Sequence, residues 1–168
     1  EIPLRLVGSE MCIRDRYIAY GSNINSEQMA YRCPHSKAVG TSEIKDFELE
    51  FRSYATIVPK KGASVPVVIW ELEGSDITAL NRYEGYPRQY RQEKMTFELG
   101  GKEYEGMAYL MNNGEISPPA RQYYDIILQG YREYGLDESC LQTALENSIQ
   151  HEIDENLNDD FQMTIGGG

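Results

Sequence analysis

Glu84 lies in the run Leu80-Asn81-Arg82-Tyr83-Glu84-Gly85-Tyr86-Pro87-Arg88-Gln89-Tyr90-Arg91. A carboxyl group held among aromatic rings, partly out of water, has a raised pKa and can exchange protons near neutral pH. A solvated glutamate in a turn is the plainer reading and stays open on these residues alone. A second segment, Tyr17-Ile18-Ala19-Tyr20-Gly21-Ser22-Asn23, reads as a strand running into Gly-Ser-Asn and then a helix. Glycine permits a sharp turn and close approach of backbone to a ligand. Amides at a helix N-terminus suit an anion such as a carboxylate. An ordinary strand-to-helix turn with capping residues explains the same pattern.

Other chemistries lack their residues. There is no Gly-x-Ser-x-Gly elbow, no phosphate loop and no Gly-x-Gly-x-x-Gly. The two histidines are His35, in Cys33-Pro34-His35-Ser36, and His151, near the C-terminal end. Cys33 and His35 are too close in sequence to resemble a cysteine-protease pair. No paired histidines or cysteines stand at metal spacing, so no metal is implied. Cys12, Cys33 and Cys140 form no disulfide framework and fit a reducing, cytoplasmic setting.

The elements that must position these segments follow from patterning. Tyr17 to Tyr20 is a short strand. Asn25 or Ser26 caps a helix over residues 27–31, which Pro34 ends. Phe47 to Phe51 alternates as a half-buried strand. Tyr54 to Val58 is another strand, Lys60-Lys61-Gly62 a turn, and Val65 to Leu72 a buried strand. Ser75 caps a short helix from Asp76 to Arg82. Gln92 to Leu99 and Lys102 to Met111 form a hairpin around Gly100-Gly101. Tyr123, Ile126, Ile127 and Gly130 share one helical face. Gly135 stops that helix, and Asp137 opens another with Leu141, Leu145 and Ile149 at spacing four. Strands dominate the middle without long helices between them. That predicts an α+β fold with a curved mixed sheet or small β-barrel flanked by helices.

The 168 residues fit one domain. Residues 1–16 read as a non-native leader, since SEMCIRDR resembles translated adapter sequence. Residues 17–150 form the domain, and 151–168 an acidic helix with a glycine tail. Lys plus Arg total 16 against 27 Asp plus Glu, a net charge of −11. That balance argues against nucleic acid and against an acidic membrane surface as partners. No apolar run approaches the ~20 residues of a membrane span. A homodimer is a possible arrangement.

Taken together, the two segments resemble the γ-glutamylcyclotransferase family. Met29-Ala30-Tyr31-Arg32-Cys33-Pro34, Ala55-Thr56-Ile57 with Pro59, Val65 to Trp70, Tyr109-Leu110-Met111 and the C-terminal helices extend the resemblance over about residues 17–145. It implies a small barrel with a pocket at one side and an intramolecular reaction that needs no cofactor. The α-amino group of a γ-glutamyl unit attacks the γ-carbonyl, 5-oxoproline forms, and the amine or amino acid leaves. By the resemblance, Glu84 is the catalytic acid–base. Tyr17, Ile18, Ala19, Tyr20, Gly21 and Ser22, with Asn23 adjoining, form the substrate loop. Tyr109 lines the site, with Met111 two residues on and Tyr90 a further pocket aromatic.

The chemistry is consistent with those roles. An α-amino group titrates near ~7.7–8.0, so one carboxylate can take its proton. Nucleophile and carbonyl share one molecule, so the protein must chiefly hold a ring-closing pose. Two departures bear on the substrate. Asn81 stands where the family often has Asp, and Val67 stands where members commonly have Gly, which predicts either a narrower pocket or a reshaped packing beside Pro66. An alternative is a non-catalytic protein capturing a small anionic metabolite in the same pocket. A weaker one is an interaction module using the acidic C-terminal helix.

Overall fold

The computed structural model describes residues 16–166. The expected leader, apart from Arg16, lies outside them, as do Cys12 and the last two glycines. Five strands form one sheet: β1 (Arg16–Ala19), β2 (Lys37–Arg52), β3 (Tyr54–Glu71), β4 (Tyr90–Leu99) and β5 (Lys102–Met111). Four helices accompany them: α1 (Ser26–Arg32), α2 (Gly74–Tyr83), α3 (Arg121–Glu133) and α4 (Ser139–Ile165). A 3-10 turn, Ser22–Ile24, joins β1 to α1.

The spatial order of strands across the sheet is β2-β3-β1-β5-β4. The two antiparallel hairpins are therefore bridged by the short strand β1. It runs antiparallel to β3, with Tyr17 opposite Trp70, and parallel to β5, with Tyr17 opposite Met107. A central strand is buried on both faces and so needs an unbroken apolar run. Ile18 and Ala19 are fully buried, and Tyr17 and Tyr20 nearly so. The core gathers Ile18, Phe51, Val65, Ile69 and Phe97 from the sheet with Ile127 and Tyr131 of α3 and Leu141 of α4.

The fold is α+β, as the element order predicts, but the sheet does not close into a barrel. β2 and β4 are its two edges. They approach without a backbone ladder: the Glu98 N–H donates to Ser42 Oγ at 3.2 Å. A groove of about 1100 Å3, lined by 41–47 of β2 and by Arg91 and 93–98 of β4, lies between them.

Three local expectations change. Lys60-Lys61-Gly62 is no turn between strands, because β3 continues through it. The register jumps from Lys45 opposite Ser64 to Phe47 opposite Pro59, so the turn residues form a bulge. Asp46 Oδ1 holds it by accepting from the Gly62 N–H at 2.9 Å. The helix expected from Ser75 starts at Gly74 with Glu73 as its cap residue. Asp76 Oδ2 accepts from the Glu73 N–H at 3.1 Å. Val67 is fully buried in β3, opposite Ser42, away from the tyrosine-lined cavity described below. It fills core and does not narrow that cavity.

Asn25 caps α1 as expected: its side chain accepts from the N–H groups of Glu27 at 3.0 Å and Gln28 at 3.2 Å. Its amide donates to the Ile126 carbonyl of α3 at 3.0 Å. Gly130 lets α3 close on this turn, since a Cβ there would lie 2.7 Å from Ile24 Cγ2 and 3.0 Å from the Asn25 nitrogen. The loop after β1 is thus clamped between α1 and α3.

Candidate active site

A cavity of about 300 Å3 opens where the loop after β1 meets the end of α2. β1 and its loop supply Tyr17, Tyr20, Gly21, Ser22 and Asn23. The end of α2 supplies Tyr83 and Glu84, and β4 and β5 supply Tyr90 and Tyr109. Tyr54, Ala55, Gln89 and Tyr123 complete the wall. The volume is at the lower end for small-molecule sites.

Among the described residues, Glu84 is the only carboxylate in that wall. It follows α2 directly, and its N–H donates to the Leu80 carbonyl at 2.8 Å. Gly85 turns the chain out of the helix at φ +62, where a Cβ would lie 2.8 Å from Gln89 Oε1. Glycine at 85 is therefore a requirement of the turn that follows Glu84. Burial pushes the Glu84 carboxyl up to about 7, with Arg32 pulling the other way. The position at a helix C-terminus acts in the same direction as burial, because the dipole's negative end disfavours an anion. A carboxyl with that pKa both accepts and returns a proton at neutral pH.

The groups around it are ordered by hydrogen bonds. Asn23 Nδ2 donates to Tyr17 Oη at 2.9 Å and lies 3.5 Å from Glu84 Oε1. Arg32 Nη1 donates to Asn23 Oδ1 and reaches Ser22 Oγ at 3.4 Å. The Tyr20 hydroxyl donates to the Tyr109 carbonyl, and the Tyr90 hydroxyl donates to the Ala55 carbonyl at 2.9 Å. The Tyr109 hydroxyl donates to Asn81 Oδ1 at 2.5 Å, and Gln92 Nε2 donates to the same oxygen at 2.8 Å. An amide oxygen at residue 81 thus accepts both bonds without adding a second negative charge.

Burial raises the phenols of Tyr17, Tyr20, Tyr90, Tyr109 and Tyr123, so these five are neutral at working pH. Burial also pushes the Cys33 thiol up to about 12, and Asp76 adds to it. That thiol is a poor nucleophile.

Of the residues singled out in the sequence, Tyr17, Tyr20, Gly21, Ser22, Asn23, Glu84, Tyr90 and Tyr109 line the cavity. Ile18, Ala19 and Met111 do not. Ile18 and Ala19 are core, and the Met111 N–H donates to Thr56 Oγ1 at 3.0 Å. Tyr54, Tyr83, Gln89 and Tyr123 were not singled out as site residues. Tyr83 had a signal in its adjacency to Glu84. Tyr54 and Tyr123 come from elements distant in sequence, joined edge to face with ring centroids 5.2 Å apart. No local pattern marks them. Among the described residues, no group of three His, Cys, Asp or Glu could hold a metal ion.

Residues 17–132 match the family model described as "Gamma-glutamyl cyclotransferase, AIG2-like". A curated relative from Mus musculus, named gamma-glutamylcyclotransferase, is 30% identical over 166 residues, covering 90% of this chain and 88% of the relative. A Homo sapiens relative of the same name is 29% identical over 160 residues, covering 85% of each. A solved structure titled "Gamma-glutamyl cyclotransferase" aligns with a TM-score of 0.70 at 29% identity, covering 77% of this chain and 85% of that one. YkqA from Bacillus subtilis shares the fold at a TM-score of 0.69 and 19% identity, covering 86% of this chain and 58% of its own. With a clamped loop, a half-buried glutamate and a family match over more than half its length, the chain belongs to the gamma-glutamyl cyclotransferase, AIG2-like family.

Proposed function

We propose that the protein is a γ-glutamyl cyclotransferase in which Glu84 moves the proton. The observation that carries this reading is the Glu84 carboxyl, raised to about 7, in the wall of a tyrosine-lined cavity. Curated relatives named gamma-glutamylcyclotransferase agree with it.

The substrate's α-ammonium gives a proton to Glu84, and the freed nitrogen attacks the γ-carbonyl carbon. A five-membered ring forms with negative charge on the former carbonyl oxygen. Tyr17 Oη accepts from Asn23 and still has its own proton to donate, so it is suited to meet that charge. As the oxygen's charge returns to the carbon, the C–N bond to the leaving group breaks. Glu84 delivers its proton to the departing nitrogen, then takes the second proton of the ring nitrogen and passes it to the freed amine, which leaves as an ammonium; this restores the carboxylate and releases the neutral lactam, 5-oxoproline. The amides of Gly21, Ser22 and Asn23 hold the α-carboxylate in this reading, which their position at the start of the 3-10 turn in the cavity wall supports.

The same reading carries a small-molecule substrate, a cytoplasmic location and no nucleic-acid or membrane partner, in keeping with the net charge of −11. Among the described residues no helix is long and apolar enough to cross a membrane. Capture without turnover is the weaker reading, because a buried carboxylate opposes an anionic ligand. The test is 5-oxoproline release from γ-glutamyl-alanine, γ-glutamyl-ε-lysine, a γ-glutamylated amine and glutathione. Release from at least one is expected. Thermal stabilisation by these compounds with no 5-oxoproline from any would establish capture instead.

A further inference from the structure

We propose that Arg32, which does not line the cavity, is the positioning residue of the site: its guanidinium fixes the Asn23 amide and thereby the setting of Glu84. The inference rests on reading Glu84 as the working carboxyl.

Asn23 is a buried amide whose two ends are chemically opposite, so its orientation decides what Glu84 and Tyr17 meet. Flipped, it would turn a carbonyl oxygen toward the Glu84 carboxylate, acceptor against acceptor. Arg32 removes that choice. Guanidinium only donates, and Arg32 Nη1 donates to Asn23 Oδ1, so the NH2 end must face Tyr17 Oη at 2.9 Å and Glu84 Oε1 at 3.5 Å. The same nitrogen is 3.4 Å from Ser22 Oγ.

Arg32 is itself held. It occupies the last turn of α1, where a cation complements the helix dipole. Its Cζ lies 3.6 Å from the centroid of the Tyr83 ring. Tyr83 immediately precedes Glu84, and its hydroxyl is 3.5 Å from Ser22 Oγ. Arg32 therefore ties the loop after β1 to the end of α2, the two elements the chemistry needs together.

Arg32 is also the cation that acts on Glu84. The other titratable groups coupled to Glu84 are phenols: Tyr17 and Tyr20 from β1 and its loop, Tyr90 from β4, Tyr109 from β5 and Tyr123 from α3. They are neutral across the working range and leave Arg32 as the opposing charge. Without it, Glu84 would stay protonated to higher pH.

The test titrates the Glu84 carboxyl carbon by NMR, assigned by difference against Glu84→Gln, in wild type, Arg32→Gln and Arg32→Lys. This readout needs no turnover. In Arg32→Gln the midpoint should rise by at least about half a pH unit. The acid limb of kcat/KM for 5-oxoproline release should move with it, leaving the variant weaker at pH 7 than at pH 8.5. Arg32→Lys keeps the charge without the planar fork, so its midpoint should stay near wild type while kcat falls. An Arg32→Gln midpoint equal to wild type would overturn the proposal. So would a profile lowered equally at every pH, the mark of a structural role. Should Arg32→Gln fail to fold, Arg32→Lys decides: an unshifted midpoint with kcat at the wild-type level contradicts the role of the fork. If wild type makes no 5-oxoproline yet the Arg32→Gln midpoint moves, the catalytic reading fails and the link from Arg32 to Glu84 stands.

Discussion

Glu84 stands where an anion is disfavoured twice over, out of water and at the C-terminal end of α2. A group whose folded pKa of about 7 exceeds its ordinary value of 4.5 contributes stability at low pH and loses it as pH rises through that window. Glu84→Gln removes the charge and keeps an oxygen for Asn23 Nδ2. At pH 8 the variant should be more stable than wild type, by on the order of 1–3 kcal/mol, and near pH 4.5 the two should agree. Thermal melts at the two pH values check this. An equal gap at both would show that folding does not raise the Glu84 pKa. For the wild type, kcat/KM should rise with pH through about 7 as Glu84 loses its proton. A pH–rate profile of 5-oxoproline release reads that limb directly.

At the scale of elements, the site depends on how closely β1, α1, α2 and α3 come together. Gly130 is the closest of these approaches, and Gly130→Val should push α3 off the Ile24–Asn25 turn. A loss of about 1–3 kcal/mol in urea unfolding, with a raised KM, is expected. Val67→Gly should cost about 1–3 kcal/mol through lost core volume and leave substrate preference unchanged, since Val67 lies outside the cavity. A change in the ranking of γ-glutamyl substrates would contradict that placement. The helix over residues 26–32, the β4–β5 hairpin and the strand carrying Tyr17 were legible because each has a local signal: a cap, a glycine pair, an apolar run. The bulge at residues 60–63 was not, because Lys-Lys-Gly is turn chemistry whether a strand reverses or only bends around it. The cap of α2 was misplaced by two residues because Glu73 acts there through its partner Asp76. Glu84 and the loop at 17–23 were visible as chemistry only in combination. Arg32, Tyr54 and Tyr123 reach the site through tertiary packing, which no local spacing encodes.

For the whole molecule, curvature brings the two edge strands near each other and stops short of closure. A groove lies between β2 and β4 where a closing ladder would run, and alternation along the strands does not reveal it. α4 packs against β2 by burying Leu141, Ala144 and Ser148, then runs on to Ile165 with every residue from Glu152 exposed. Ending the chain after Gln150 should therefore leave the melting temperature within about 2 °C and activity unchanged, as expected for removal of exposed surface. A fall of 10 °C or a lost activity would show that the distal helix supports the domain.

The most direct test of the central claim is the rate of 5-oxoproline release by Glu84→Gln against wild type on the best γ-glutamyl substrate at pH 7.5. Circular dichroism would establish that both are folded. The account predicts a loss of about 10^2–10^4-fold, the range for removing a positioned acid–base. Turnover within tenfold of wild type would contradict it.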